Sequence, residues 1–176
     1  MPNTWGGRRA RAGRKPGPRP CVLHRGRPEH VARHPTHITL RARAGLPSLR
    51  APNLCAVIER AIAAANRSDG RVVHYSVQGD HVHLIIEAHD ERALSSAVRR
   101  VAIRVALAVN RLLARRGPVW GDRYHRRDLT TPREVRNALV YVLCNARKHG
   151  RPVADLDPCS SARWFDGWRR RPGADA

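Results

Sequence analysis

Cysteine pairs, acidic residues, aromatic side chains and long apolar runs are all scarce in this 176-residue chain, and each scarcity removes a class of explanation. The four cysteines, Cys21, Cys55, Cys144 and Cys159, stand far apart with no C-x-x-C pair. That spacing argues against zinc-finger and thioredoxin-type sites and leaves reduced thiols as the simplest reading. No apolar run nears the roughly 18 residues of a membrane span, and the basic N-terminus is not followed by an apolar stretch. Neither a membrane protein nor a secretory leader is therefore expected, and the chain is placed in the cytoplasm. Aromatics make up 5% of the residues, with three tyrosines, so chemistry that needs a phenol has only Tyr75, Tyr124 and Tyr141 to draw on. Carboxylates are outnumbered: 14 Asp+Glu stand against 34 Lys+Arg, a formal charge of +20. Such a chain repels itself unless it meets a polyanion, and nucleic acid is the first partner to expect.

What is present falls into three parts. Residues 1–36 are rich in Arg, Gly and Pro with almost nothing to bury, which predicts a disordered basic arm. Within it, Arg14 and Lys15 lie in a Gly-Arg-Lys-Pro-Gly-Pro-Arg-Pro run, and Arg25 and Arg27 flank a glycine. Both stretches resemble the AT-hook element that lies in a narrow minor groove, although a solvated tail that binds phosphates without sequence preference is the more economical reading. Residues 37–150 carry the periodicities of a folded domain, and 151–176 form a tail containing Trp164, Phe165 and Trp168. Those aromatics could stack on bases or pin the tail to the domain.

Alternation of Ile38, Leu40 and Ala42 with polar residues predicts a half-buried strand over 37–43. Helical spacing of apolar residues predicts a helix over 54–66, closed by Asp69-Gly70. Residues 72–78 and 81–87, joined by Gly79-Asp80, read as an antiparallel hairpin. A long basic-faced helix is predicted from Glu91 to Arg116, ending at Gly117-Pro118. An extended piece over 119–129 leads to Thr131-Pro132-Arg133-Glu134, a capping box with proline at the first helical position. The helix it starts is expected to reach about His149. Along it Val135, Ala138, Leu139, Val142 and Ala146 make an apolar stripe, while Asn137, Tyr141, Asn145 and Lys148 share a polar face. The element order predicts a small α/β (α+β) sandwich, an antiparallel sheet with helices packed on it.

The stretch Gly79-Asp80-His81-Val82-His83-Leu84 places two imidazoles on one face of an inner strand, because side chains alternate with period two. Paired neutral imidazoles suit a metal ion, and a merely polar strand edge is the alternative. Taken in order, His81-Val82-His83-Leu84, then Val119-Trp120 through Arg123-Tyr124-His125, then Tyr141-Val142-Leu143-Cys144-Asn145 resemble the motifs of the single-tyrosine HUH transposases, in particular the REP-associated tyrosine transposases. The resemblance spans roughly residues 35–150.

That resemblance implies a ferredoxin-like fold. It also implies that His81 and His83 bind a divalent metal, Mg²⁺ or Mn²⁺, with Asn145 as a third ligand or nearby polar group. Tyr141 becomes the nucleophile, which cleaves and rejoins single-stranded or hairpin DNA through a 5′-phosphotyrosine. Arg123, Tyr124, His125, Arg126 and Arg127, together with Arg14, Lys15, Arg25 and Arg27, are expected to hold the DNA. A phenol is a poor nucleophile at neutral pH, so an activating cation makes chemical sense. The enzyme is expected to act as a monomer or homodimer. Two other readings stay open: a DNA-binding architectural or regulatory protein derived from a transposase but catalytically silent, and an RNA-binding protein.

Overall fold

The computed structural model describes residues 29–145 and 156–168. In chain order the elements are β1 (Thr36–Arg41), α1 (Pro52–Ala63), β2 (Gly70–Val77), β3 (His81–Ala88), α2 (Glu91–Leu112), β4 (His125–Asp128) and α3 (Pro132–Leu143). A 3-10 turn, Ser161–Trp164, follows. The four strands form one antiparallel sheet in the order β2-β3-β1-β4, the ferredoxin-like arrangement that the family resemblance implies.

One face of this sheet carries the main core. Ile38 and Leu40 from β1, Val82, Leu84 and Ile86 from β3, and Val72, Tyr75 and Val77 from β2 pack against α1 and α2. The α2 stripe, Leu94, Ala97, Val98, Val101, Val105 and Val109, repeats at helical spacing and is buried throughout. Its N-terminus is capped by Asp90, whose carboxylate accepts from the Ala93 amide at 2.7 Å. Gly70 allows the start of β2 to lie against this helix, since a Cβ there would meet the Ala93 carbonyl and the Ala97 methyl at 3.1 Å. A bulge between Val72 and His74 inserts Val73 into β2, which keeps both Val72 and Tyr75 on the core face.

The second face is covered by α3. Ala138 and Val142 pack on Ile85 and Leu129, with Val73, Val135, Leu139 and Tyr141 around them. Thr131 and Glu134 form the expected capping box, each side chain bonded to the other's backbone amide. Beside these residues the second face keeps its polar ones, and that is where the chemistry gathers.

Several boundaries differ from the sequence reading. The chain is already packed before β1: His30 is 6% exposed, and its Nε2 lies 3.1 Å from the Ala88 carbonyl. A single histidine in a Pro/Arg-rich stretch carries no periodic signal. α2 ends at Leu112 instead of Arg116, because Ala114 turns left-handed (φ +47°) and the Arg115 amide bonds back to the Asn110 carbonyl at 2.9 Å. α3 ends at Leu143, with Cys144 at φ −106° and ψ 14°, before Asn145. The helix from Thr131 to His149 is thus not continuous over its described length, and Ala146 and Lys148 lie outside the described residues. One distorted residue leaves the periodicity of the preceding turns intact, so patterning does not register it.

The segment 156–168 is docked along β2. The Val77 amide bonds the Cys159 carbonyl at 2.8 Å, and Ser76 bridges Ser160. Asp157 accepts from both Arg50 nitrogens at 2.9 and 2.5 Å. Trp164 approaches Tyr75, and Phe165 stands edge-on to His74 and Trp168. The aromatic cluster here pins the segment to the edge strand. No helix among the described residues is long and apolar enough to cross a membrane.

Candidate active site

Registry brings the site together. β1 pairs with β3 so that Thr39 faces His83, and with β4 so that Thr39 faces His125 and His37 faces Arg127. Because successive side chains alternate faces, His37, Thr39, His81, His83, His125 and Arg127 all project from the face that α3 covers. Tyr141 comes down from α3 onto this group, its ring centroid 5.0 Å from that of His83 and 5.9 Å from that of His37.

The two expected metal ligands are held from behind. His81 Nδ1 lies 2.7 Å from Asp80 Oδ1, which fixes the ring proton on Nδ1 and leaves Nε2 as an acceptor. The same bond from His81 is the main reason the Asp80 carboxyl is held below its usual range. His83 Nδ1 lies 3.1 Å from both Thr39 Oγ1 and His37 Nε2, so its Nε2 is likewise turned outward. The two Nε2 atoms are 3.0 Å apart. Burial, reinforced by His81 and His37, lowers the His83 pKa to about 3. Burial, reinforced by His125 and Arg127, lowers His37 to about 4. Both imidazoles are neutral at pH 7.

Two lone pairs facing each other at this distance repel unless a cation or a proton lies between them. An octahedral ion with bonds of about 2.1 Å has neighbouring donors roughly 3.0 Å apart, so the spacing suits a divalent ion. Among the described residues no third His, Cys, Asp or Glu completes a cluster with them. Asn145 is 3% exposed, and its buried amide nitrogen has no hydrogen-bond partner among the described residues. It follows Tyr141 by four residues, but with the end of α3 between them, so the two do not share a regular helical turn.

The remaining predicted residues separate cleanly. His125 and Arg127 face the site. Arg126 points to the other face and is withdrawn from the DNA-contacting set: its side chain is 3% exposed and bonded to Glu91 at 2.6 Å and to Asp128 at 2.9 Å. Strand alternation is the reason. Arg123 precedes β4 and is exposed, while Tyr124 packs against the edge of the main core. Tyr75 lies in that core, on the opposite sheet face from the histidines, and burial raises its pKa. Tyr141 makes ring contacts with His83 and with His37. Arg14, Lys15, Arg25 and Arg27 lie outside the described residues.

Sequence reasoning missed His37, Thr39 and Asp80. His37 and Thr39 are the polar half of the same alternation that marks Ile38 and Leu40 as core, so the signal was present.

The family model described as "Transposase IS200 like" matches residues 33–142. The chain belongs to this family. The match begins just before β1 and ends inside α3, one residue past Tyr141, and so encloses the histidine pair and the phenol. Among solved structures, a REP-associated tyrosine transposase bound to a REP hairpin shares the fold of this IS200-like transposase. Its TM-score is 0.59 at 17% identity, covering 73% of this chain and 75% of that one. No curated protein matches the chain. A transposase acts on DNA, which agrees with the formal charge of +20.

Proposed function

We propose that this transposase cleaves and rejoins single-stranded or hairpin-bearing DNA through a covalent phosphotyrosine at Tyr141. The observation that carries the reading is the placement of the Tyr141 ring 5.0 Å from His83, whose Nε2 and that of His81 converge at 3.0 Å. Tyr141 and the two histidines thus meet on one face of the sheet.

The step is a transesterification. Tyr141 Oη attacks the phosphorus of a phosphodiester, the Oη–P bond forms, and the P–O3′ bond breaks. The phenolic proton leaves to solvent, and the departing 3′ oxygen takes up a proton to become a free hydroxyl. The fragment downstream of the cut stays on Tyr141 through its 5′-phosphate. A 3′-hydroxyl from the same or another strand reverses the step, so joining needs no external energy source.

His81 and His83, with Asn145 as a third ligand or nearby polar group, are the residues that would hold Mg²⁺ or Mn²⁺. When bound, such an ion supplies Lewis-acid polarisation of the scissile phosphate. Asp80, Thr39 and His37 set the ring tautomers and keep both Nε2 atoms aimed at one point. Arg127 and His125 line the approach, where a guanidinium binds a phosphate oxygen. Arg123 and Tyr124, in the segment before β4, together with Arg14, Lys15, Arg25 and Arg27 of the arm, extend the phosphate-binding surface. Such binding weakens steeply with salt.

The test is incubation of the pure protein with labelled hairpin DNAs bearing single-stranded flanks, with and without Mn²⁺, followed by a denaturing gel. A covalent adduct from the wild type that disappears in Tyr141→Phe, with DNA binding retained, is the expected result. Tight binding without any adduct refutes the cleavage reading and leaves a silent DNA-binding protein.

A further inference from the structure

Beside Tyr141 lies a cavity of about 310 Å³ that neither the ligand pair nor the nucleophile requires. Leu129 and Ala138, both buried, make its apolar floor. The rings of His37 and Tyr141 line it, and Arg127, Glu134 and Asn137 complete its lining at the rim. The volume is at the small end of ligand sites and suits a single nucleotide. Three recesses as large or larger do not reach the histidine pair or Tyr141; the smallest of them, about 320 Å³, lies against Tyr75 and Trp164. One, between α1 and α2, is lined by Val57, Leu107 and Leu112 among arginines and holds no aromatic ring. Another, at the far end of β3, is lined by Arg33, Arg67, Asp69, Arg71 and Glu87 and holds no tyrosine.

The rim groups differ in availability. Glu134 is committed: its carboxylate accepts from Arg127, Thr130 and Thr131, which fix it in the cap of α3. Arg127 is 63% exposed on its outer side and can serve a phosphate. The Asn137 amide makes no hydrogen bond among the described residues. It sits one helical turn before Tyr141, on the same side of α3. A carboxamide presents one donor and one acceptor side by side, the pattern that matches N7 and the N6 amino group of adenine.

We infer that this cavity receives one unstacked base of the attacked strand, preferentially adenine, with its face against the apolar floor and ring walls and its edge read by Asn137. The inference rests on the cleavage reading and adds a specificity determinant to it. A base seated here is flipped out of any stack, which restricts the substrate to single-stranded DNA at this nucleotide. Stacking on the floor tolerates every base, so Asn137 alone supplies the preference.

The test selects from a library of hairpins with randomised single-stranded flanks, using Tyr141→Phe as the parent and Tyr141→Phe/Asn137→Ala as the variant. Asn137 is an exposed position of α3, and alanine favours helix, so the variant keeps its fold. The parent is expected to favour adenine at one flank position by about tenfold, the lower range for one amide reading one base. In the variant that preference should fall below about twofold, with every other selected position unchanged. Identical preferences in parent and variant, or a parent with no preferred flank base, overturn the inference. If the wild type still forms its covalent adduct, only the base pocket has failed. A protein that retains no member of the library and forms no adduct overturns the cleavage reading, and the pocket with it.

Discussion

Asp80→Ala should weaken Mn²⁺ binding about tenfold while leaving the fold intact. The carboxylate stands 2.7 Å behind His81 Nδ1, and groups in that position behind a metal-bound imidazole contribute roughly 10- to 100-fold in affinity. Asp80 is 58% exposed, so water takes over part of its role after truncation, which places the loss near the lower end. Part of that loss is simple charge: an exposed ion pair contributes about 0.2–1 kcal/mol, at most about fivefold. Asp80→Asn separates the two contributions, because the amide oxygen still accepts from Nδ1 while the charge is gone. It should lose only the smaller share. Thr39→Val should cost less than Asp80→Ala, since His37 Nε2 remains 3.1 Å from His83 Nδ1 and continues to orient that ring. The free Mn²⁺ signal in electron paramagnetic resonance titrations gives the dissociation constants, and circular dichroism checks the fold. An Asp80→Ala affinity within twofold of wild type would refute the orientation argument. Equal losses in the alanine and asparagine variants would show that charge alone matters.

Four other outcomes follow from the packing. Val142→Ala removes two carbons from a fully buried site under α3, at about 0.8 kcal/mol each plus a cavity cost, so urea unfolding should show a loss of roughly 2–3 kcal/mol. Adduct formation at neighbouring Tyr141 should fall with it. Ala114→Gly should stabilise the protein by about 0.5–1 kcal/mol in the same assay, because the left-handed backbone at φ +47° strains a Cβ. Arg50→Met strands Asp157, whose side chain is 2% exposed, and should cost about 3 kcal/mol. Glu134 is held at about 2, chiefly by Arg127, so its contribution is fully present above the ordinary carboxylate range and is lost as pH falls toward 2. Accordingly, the melting-temperature gap between wild type and Glu134→Gln should be full at pH 7 and vanish near pH 2.

The strands, the helices and the start of α3 were legible because each rests on a local pattern. Ile38 and Leu40 alternate, Leu94 through Val109 repeat at helical spacing, and Thr131 with Glu134 states a helix start in four residues. What patterning could not supply was pairing across the sheet. His37 is 46 residues from His83, and only the register of β1 against β3 brings their nitrogens to 3.1 Å. Alternation does place His125 and Arg127 on one face of β4 and Arg126 on the other, but it does not say which face meets the histidines. That assignment depends on Asp128 and Glu91 drawing Arg126 inward.

The two sheet faces divide the labour of the molecule. Two helices cover the first face and exclude water from an almost wholly apolar core, which leaves no room for chemistry. Among the described residues the second face is covered by the 12 residues of α3, enough to bury Ile85, Leu129 and His83 and to leave His125 and Arg127 exposed. His83 is buried at the margin of α3 and His37, Thr39 and His81 are half-buried beside it, where the backbone is rigid because its other side is core. A strand pair can therefore hold two nitrogens at a fixed spacing, while a short helix fastened by Val142 and by the Arg127–Glu134 ion pair brings the phenol to them. The rigidity of one face is the condition for the reactivity of the other.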